Sequence, residues 1–264
     1  MPREEGRNWH YIKKNESARI PRRHIFLDTE AIQKPVDGGE IQTWRLGVAC
    51  FYSNLAGRPA KERWGQYSDV EALWRDVDAH CGAHDRTVLW AHNLSYDVRI
   101  ADALRIMPKM GWLLEAHNIN PRGTWFTWRK GRATLMMVDS SSVFPTSLEK
   151  LGVHFRLEKL DLPDVDDSEE AWMRRCVQDV QILRTAVLAY LQWLEENDMG
   201  NWQPTGAGQS WAVFRHKFLT HKLLVHNDEE ALRAERRALW TGRCEAYWHG
   251  ELRGQLVHEW DFSL

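Results

Sequence analysis

The run His24-Ile-Phe-Leu-Asp-Thr-Glu-Ala31 constrains this chain more than any other stretch. Ile25 to Leu27 form a short apolar run of the kind that makes a buried strand. The run ends in Asp28 and Glu30, and side chains at i and i+2 of a strand point to the same face. Two like charges on one face repel, and burying them unpaired costs on the order of several kcal/mol. Either the strand end is solvated, or a divalent cation held by oxygen ligands resolves the conflict. Acids at suitable places later in the chain favour the cation.

A chain of 264 residues holds one large domain, or one domain and the start of another. Its 43% hydrophobic and 27% charged content is ordinary for a soluble globular protein. The net charge of -2 gives no overall basic signal for nucleic acid, although a cluster of metal-binding acids masks local basic surface. Cys50, Cys81, Cys176 and Cys244 are scattered without a CxxC pair, which argues against a zinc site or a disulfide framework. The opening Met-Pro-Arg-Glu-Glu-Gly-Arg is unlike a signal peptide, and no apolar run approaches the ~20 residues of a membrane helix. An intracellular protein away from membranes is expected. Fifteen tryptophans are many; scattered as they are, they suit core packing better than base stacking.

Residues 1–23 carry seven Lys or Arg against three Glu and read as a solvated basic arm. A turn at Val36-Asp-Gly-Gly39 joins the Asp28 strand to a second strand over Thr43–Tyr52. Val70, Leu73, Trp74 and Val77 stand at helical spacing within 69–81. Thr87–His92 reads as a strand running into Asn93-Leu-Ser-Tyr-Asp97, a polar turn that opens a helix, so the order is that of an α/β sheet. Taken alone, Asp97 is also what a helix start favours through its dipole, and Asn93 and Tyr96 suit turn chemistry and packing. Residues 124–139 form a hairpin turning at Lys130-Gly131, and Pro145 with the hydroxyls after it starts a helix.

The longest helix is expected over 169–196, where Trp172, Cys176, Val180, Leu183, Val187, Leu191 and Leu194 make one apolar stripe. Asp179 lies beside that stripe, an unusual place for a charge unless it is paired or metal-bound. The breaker-rich stretch 197–210 reads as a linker, with helices near 210–221 and 229–239 beyond it. Residues 242–264 read as a hairpin and a strand inside which the chain stops, which suggests a fragment.

Asp28, Glu30, Asp97 and Asp179, taken in that order, resemble the four-carboxylate 3′-5′ exonuclease superfamily, and in detail the exonuclease domain of family B DNA polymerases. Asp28-Thr-Glu30 matches D-x-E, and Asn93-Leu-Ser-Tyr96-Asp97 matches N-x-x-(Y/F)-D. In Y-x-x-x-D only Asp179 matches, since the tyrosine position holds Arg175. Residue 174, where the histidine form of that motif has its histidine, is also arginine. Ser147-Leu148-x-x-Leu151 and Lys159-Leu-Asp-Leu162 resemble two motifs of the protein-primed viral, phage and organellar branch. Trp240-Thr-Gly-Arg-Cys-Glu245 resembles Y-x-G-G imperfectly, and Asp261-Phe-Ser-Leu264 is similar to the first half of polymerase motif A.

The resemblance implies an RNase H-like α/β exonuclease domain over 24–198, followed by the beginning of a polymerase palm region over 199–264. It implies two Mg²⁺ or Mn²⁺ ions, with Asp28 bridging both, Glu30 and Asp179 completing one, and Asp97 acting on the other. Asn93, Ser147 and Leu148 would contact the terminal nucleotides of DNA with Tyr96 packing or stacking nearby, and Lys159 would neutralise phosphate charge. Arg175 departs from the pattern and would pair with Asp179 or bind the scissile phosphate. The implied partner is a single-stranded DNA 3′ end or primer-template, and in the protein-primed branch a terminal protein. The polymerase reaction itself is not expected from these 264 residues. A free-standing exonuclease on RNA or DNA, and a catalytically weakened nucleic-acid-binding remnant, are the alternatives.

Overall fold

The computed structural model describes residues 9–82, 86–120 and 123–238. In chain order its elements begin β1 (His10–Ile12), β2 (Arg23–Val36), β3 (Gly39–Ser53), β4 (Lys61–Tyr67), α1 (Val70–His80) and β5 (Arg86–Ala91). Next come α2 (Leu94–Ile100), α3 (Ala103–Lys109), β6 (Leu113–Asn118), β7 (Trp125–Lys130) and β8 (Ala133–Asp139). The chain then passes through α4 (Leu148–Phe155), α5 (Glu169–Glu196), α6 (Gly206–Val213), β9 (Leu223–Val225) and α7 (Glu229–Ala238). Lys13–His221 make one compact unit. The described part of the other unit contains the antiparallel pair β1–β9 and helix α7.

The larger unit is built on a seven-stranded mixed sheet in the order β4-β3-β2-β5-β8-β7-β6. The pairs β2–β3, β3–β4, β6–β7 and β7–β8 are antiparallel, whereas β5 lies parallel to both β2 and β8. Period-2 alternation decides which side chains meet which helices. Ile25, Leu27, Leu89 and Ala91 pack with Trp74, Val77, Leu94 and Met107, joining one face to α1–α3. Phe26, Val88, Trp90 and Val138 pack with Leu151, Trp172, Cys176 and Val180, joining the opposite face to α4 and α5. The parallel strands β5 and β8 are apolar almost throughout because helices cover both of their faces.

Helix α5 spans the expected residues, with Ser168 Oγ accepting from Ala171 N at its start. Arg45 fixes that end from β3: its Nε donates to Glu169 Oε1 at 3.0 Å and its guanidinium lies 4.2 Å from the Trp172 ring centroid. Arg45 is the extra residue of a β-bulge, since Glu30 pairs with Leu46 and Ala31 with Trp44.

The compact unit extends past the expected boundaries at 23 and 198. Residues 13–22 and 199–221 belong to the same compact unit as the sheet. Asn15 N donates to Arg215 O at 3.0 Å, Trp202 N to Arg19 O at 3.0 Å, and Arg215 Nε to Lys13 O at 2.9 Å. Trp202 is 4% exposed and meets Trp90 edge-on at 5.5 Å. The breaker residues that read as a linker are therefore a packed cap, and Gln209 Nε2 donates to Met199 O inside it. The segments Trp240–Glu245 and Asp261–Leu264, like residues 1–8 of the arm, lie outside the described residues. Among the described residues no helix is long and apolar enough to cross a membrane.

Candidate metal centre

Strand β2 and helix α5 deliver the acids. Phe26 faces α5, so Asp28 and Glu30, two and four residues on, share that face. Cys176 Sγ donates to Asp28 O at 3.2 Å and ties the helix to the strand at the site. Beside the tie and nearly one turn beyond it, α5 presents Arg175 and Asp179, four residues apart on one face. Asp28, Glu30 and Asp179 each offer a carboxylate oxygen, and the three oxygens lie within 4.8 Å of one another.

Such a cluster needs positive charge, and two side chains supply part of it. Arg175 Nη1 bonds Glu30 Oε1, and its Nη2 lies 3.5 Å from Asp179 Oδ2. Lys159 Nζ reaches the same Asp179 Oδ2 at 3.0 Å. Three buried atoms of this cluster have no hydrogen-bond partner among the described residues: Asp28 Oδ2, Asp179 Oδ1 and Arg175 Nε. Burial first, then the charges of Asp179 and Glu30, pushes the Asp28 carboxyl up to about 8. Burial also raises Glu30, against the opposing pull of Arg175. Two buried carboxylate oxygens without donors, in an all-oxygen set, fit a hard divalent cation such as Mg²⁺ or Mn²⁺.

Asp97 lies in the first turn of α2 and outside the close trio. Its Oδ1 accepts from Thr29 Oγ1 at 2.8 Å, which links it to the residue between Asp28 and Glu30. Burial, then the Asp28 charge, holds its carboxyl well above the usual range. Tyr96 is half-buried beside these acids, and burial pushes its phenol up to about 12, so the hydroxyl remains a donor at neutral pH. Asn93 is exposed, with a left-handed backbone at φ 76° and no cap bond from its own side chain.

Sequence reasoning missed the residue that organises this turn. Asp139, buried at the end of β8, accepts from Asn93 N at 3.2 Å and Ser141 N at 2.9 Å through Oδ1. Its Oδ2 accepts from Leu94 N at 3.1 Å. It caps α2 from another strand, a role with no local motif; the only signal was an acid closing an apolar strand that runs parallel to β5. Ser147 is exposed and caps α4, its Oγ accepting from Lys150 N at 3.3 Å. Leu148, expected beside Ser147 at the DNA, is 5% exposed and packs in the core with α5, where it anchors the helix.

No protein-family model matches the chain. No curated protein matches it either. Two solved structures of Phi29 DNA polymerase are similar to it. One, complexed with primer-template DNA as a post-translocation binary complex, aligns at a TM-score of 0.50 and 16% identity over 76% of this chain. The other, complexed with single-stranded DNA, aligns at 0.46 and 16% identity over 72% of this chain. The chain spans about a third of the polymerase, 35% and 34% of its length in the two alignments. At this identity the likeness is one of fold: an α/β unit with a mixed sheet, similar to a region of Phi29 DNA polymerase.

Proposed function

We propose that this chain is the 3′-5′ exonuclease portion of a family B DNA polymerase, built on an RNase H-like fold and acting on single-stranded or mismatched DNA 3′ ends. The observation that carries the reading is the meeting of Asp28, Glu30 and Asp179 from β2 and α5, with two of their buried oxygens left without donors. The strand order supports it. Three antiparallel strands, β4-β3-β2, are followed by two, β5 and β8, parallel to the one that carries the acids. DNA is the proposed partner, with a terminal protein added if the parent is protein-primed.

Divalent ions, when bound, supply an acidified water for attack at the terminal phosphodiester and charge to stabilise the leaving 3′ oxygen. The chain's own residues divide the remaining work. Asp28, Glu30 and Asp179, with Asp97 beside them, would hold the divalent metal when it is bound. Lys159, paired with Asp179, brings positive charge for the phosphate oxygens. Asn93 and Ser147, both exposed, are assigned to the terminal nucleotides, and Tyr96 to the sugar or base beside the acids. Asp139 positions Asn93 by holding its backbone N–H.

The test is a 5′-labelled single-stranded oligonucleotide incubated with the chain and Mg²⁺ or Mn²⁺. Stepwise 3′ shortening that stops in EDTA is expected. No metal-dependent shortening of DNA would sink the reading and favour the binding remnant, for which the Arg175 pairing with Glu30 and Asp179 speaks. Faster shortening of RNA than of a mismatched DNA primer would favour a free-standing nuclease.

A further inference from the structure

We propose that Arg175 is a built-in cation that takes the place of one of the two divalent ions, so that the free protein binds a single ion. The proposal rests on the metal-centre reading given above and deepens it. With all four acids ionised, Asp28, Glu30, Asp97 and Asp179 carry four negative charges, and Arg175 and Lys159 return two positive ones, both in contact with the cluster. One divalent ion brings that balance to zero. A second would leave two positive charges among groups largely withdrawn from water, an arrangement that burial penalises.

The geometry agrees with the count. The guanidinium fork spans Glu30 and Asp179, the pair expected to complete one ion's shell, and only 13% of the Arg175 side chain is exposed. Arginine stays charged at any working pH, so the group cannot shed a proton to admit a competing ion. It cannot readily leave either, because Cys176, next to it in α5, is bound to Asp28 O, and Arg45 anchors the helix start. The oxygens left without donors, Asp28 Oδ2 and Asp179 Oδ1, are where one ion remains to be held.

The experiment is an Mn²⁺ titration of the 264-residue chain without DNA, read by equilibrium binding and by electron paramagnetic resonance. One Mn²⁺ per wild-type chain is expected, with a six-line spectrum free of coupling between ions up to saturation. Arg175→Met, which removes the charge at similar length, should bind two; Arg175→Lys, which keeps the charge, should bind one. Two ions in the wild-type chain, or a spectrum of coupled ions, would overturn the proposal and leave the metal-centre reading standing. Binding of no ion by any form would overturn both. Should Arg175→Met fail to fold, as judged by circular dichroism, the wild-type spectrum decides alone.

Discussion

Asp28→Asn is expected to stabilise the metal-free protein, and by an amount that depends on pH. In the folded state Asp28 holds its proton up to about pH 8, against an ordinary value of 3.8. A group raised on folding contributes stability that is complete below its unfolded value and lost as pH rises towards its folded one. At pH 7 about three pH units of that range have been crossed, at ~1.4 kcal/mol each, so the wild type forfeits about 4 kcal/mol. This is an upper figure, because Arg175 and the neighbouring acids share the charge. Asparagine keeps the shape and removes the ionisation. Thermal melts in EDTA should show the variant higher by several degrees at pH 7.5, given roughly 2–4 °C per kcal/mol at this size. The gap should close towards pH 4, where the wild-type carboxyl is protonated whether folded or unfolded. Saturating Mn²⁺ should restore the wild type and leave the variant little changed. A variant no more stable than wild type at pH 7.5, or a gap that ignores pH, would refute the claim that the cluster stores repulsion a cation relieves.

Three further outcomes are expected. Asp28→Ala with Glu30→Ala should abolish metal-dependent 3′ shortening in the oligonucleotide assay while DNA binding, followed by fluorescence anisotropy, persists; shortening that survives both substitutions would show that the acids do not act at the phosphodiester. Arg175→Tyr should raise turnover several-fold with little change in DNA affinity, since it admits the second ion and restores a hydroxyl beside the site; a fall would give the arginine a productive role. His24 should stay neutral down to about pH 4, because burial lowers it and its ring is fully engaged, Trp90 Nε1 donating to Nδ1 and Nε2 bonding Pro21 O. Its contribution to stability, about 3 kcal/mol, is lost as pH falls from 6.5 towards 4; an NMR signal assigned to His24 and titrating with a midpoint near 6.5 would contradict this.

The parts legible in sequence were those with strong local periodicity. Apolar Ile25–Leu27 and the stripe of α5 located the strand and the helix that bring the acids together, and the i, i+4 spacing placed Arg175 beside Asp179. The other half of the arginine's engagement was not legible, because Glu30 lies 145 residues away and only the packing of α5 on β2 makes the pair. Strands β4 and β6 escaped notice because edge strands bury little: Lys61–Arg63 and Leu113–His117 are exposed, so no alternation marks them. Helix α3 is seven residues long with Pro108 in its last turn, too short for a helical period to register. Residues 199–210 misled for the opposite reason. Their glycines, proline and asparagine are turn formers, and turns pack as readily as helices when their polar groups find partners, as Gln209 does with Met199 O and Gln203 N.

The bonds between residues 13–22 and 199–221 bear on how the chain is made. His216 Nδ1 bonds Asn15 O across 201 residues, and Trp202 closes over Trp90, which in turn donates to His24. A ribosome delivers the Asn15 segment first and its partner last. The central sheet can assemble once β8 and α5 have emerged, but the segment leading into β2 waits for residues 199–217 before its backbone groups are satisfied. Closing so long a loop is entropically slow from an open chain, and much less so once the sheet has brought both segments to the same end. The start of this unit is therefore the last part of it to be locked, and a protein cut at residue 198 should fray first at its amino terminus, in hydrogen exchange at the Asn15 amide, whose N–H is held by Arg215 O, well away from the cut in sequence.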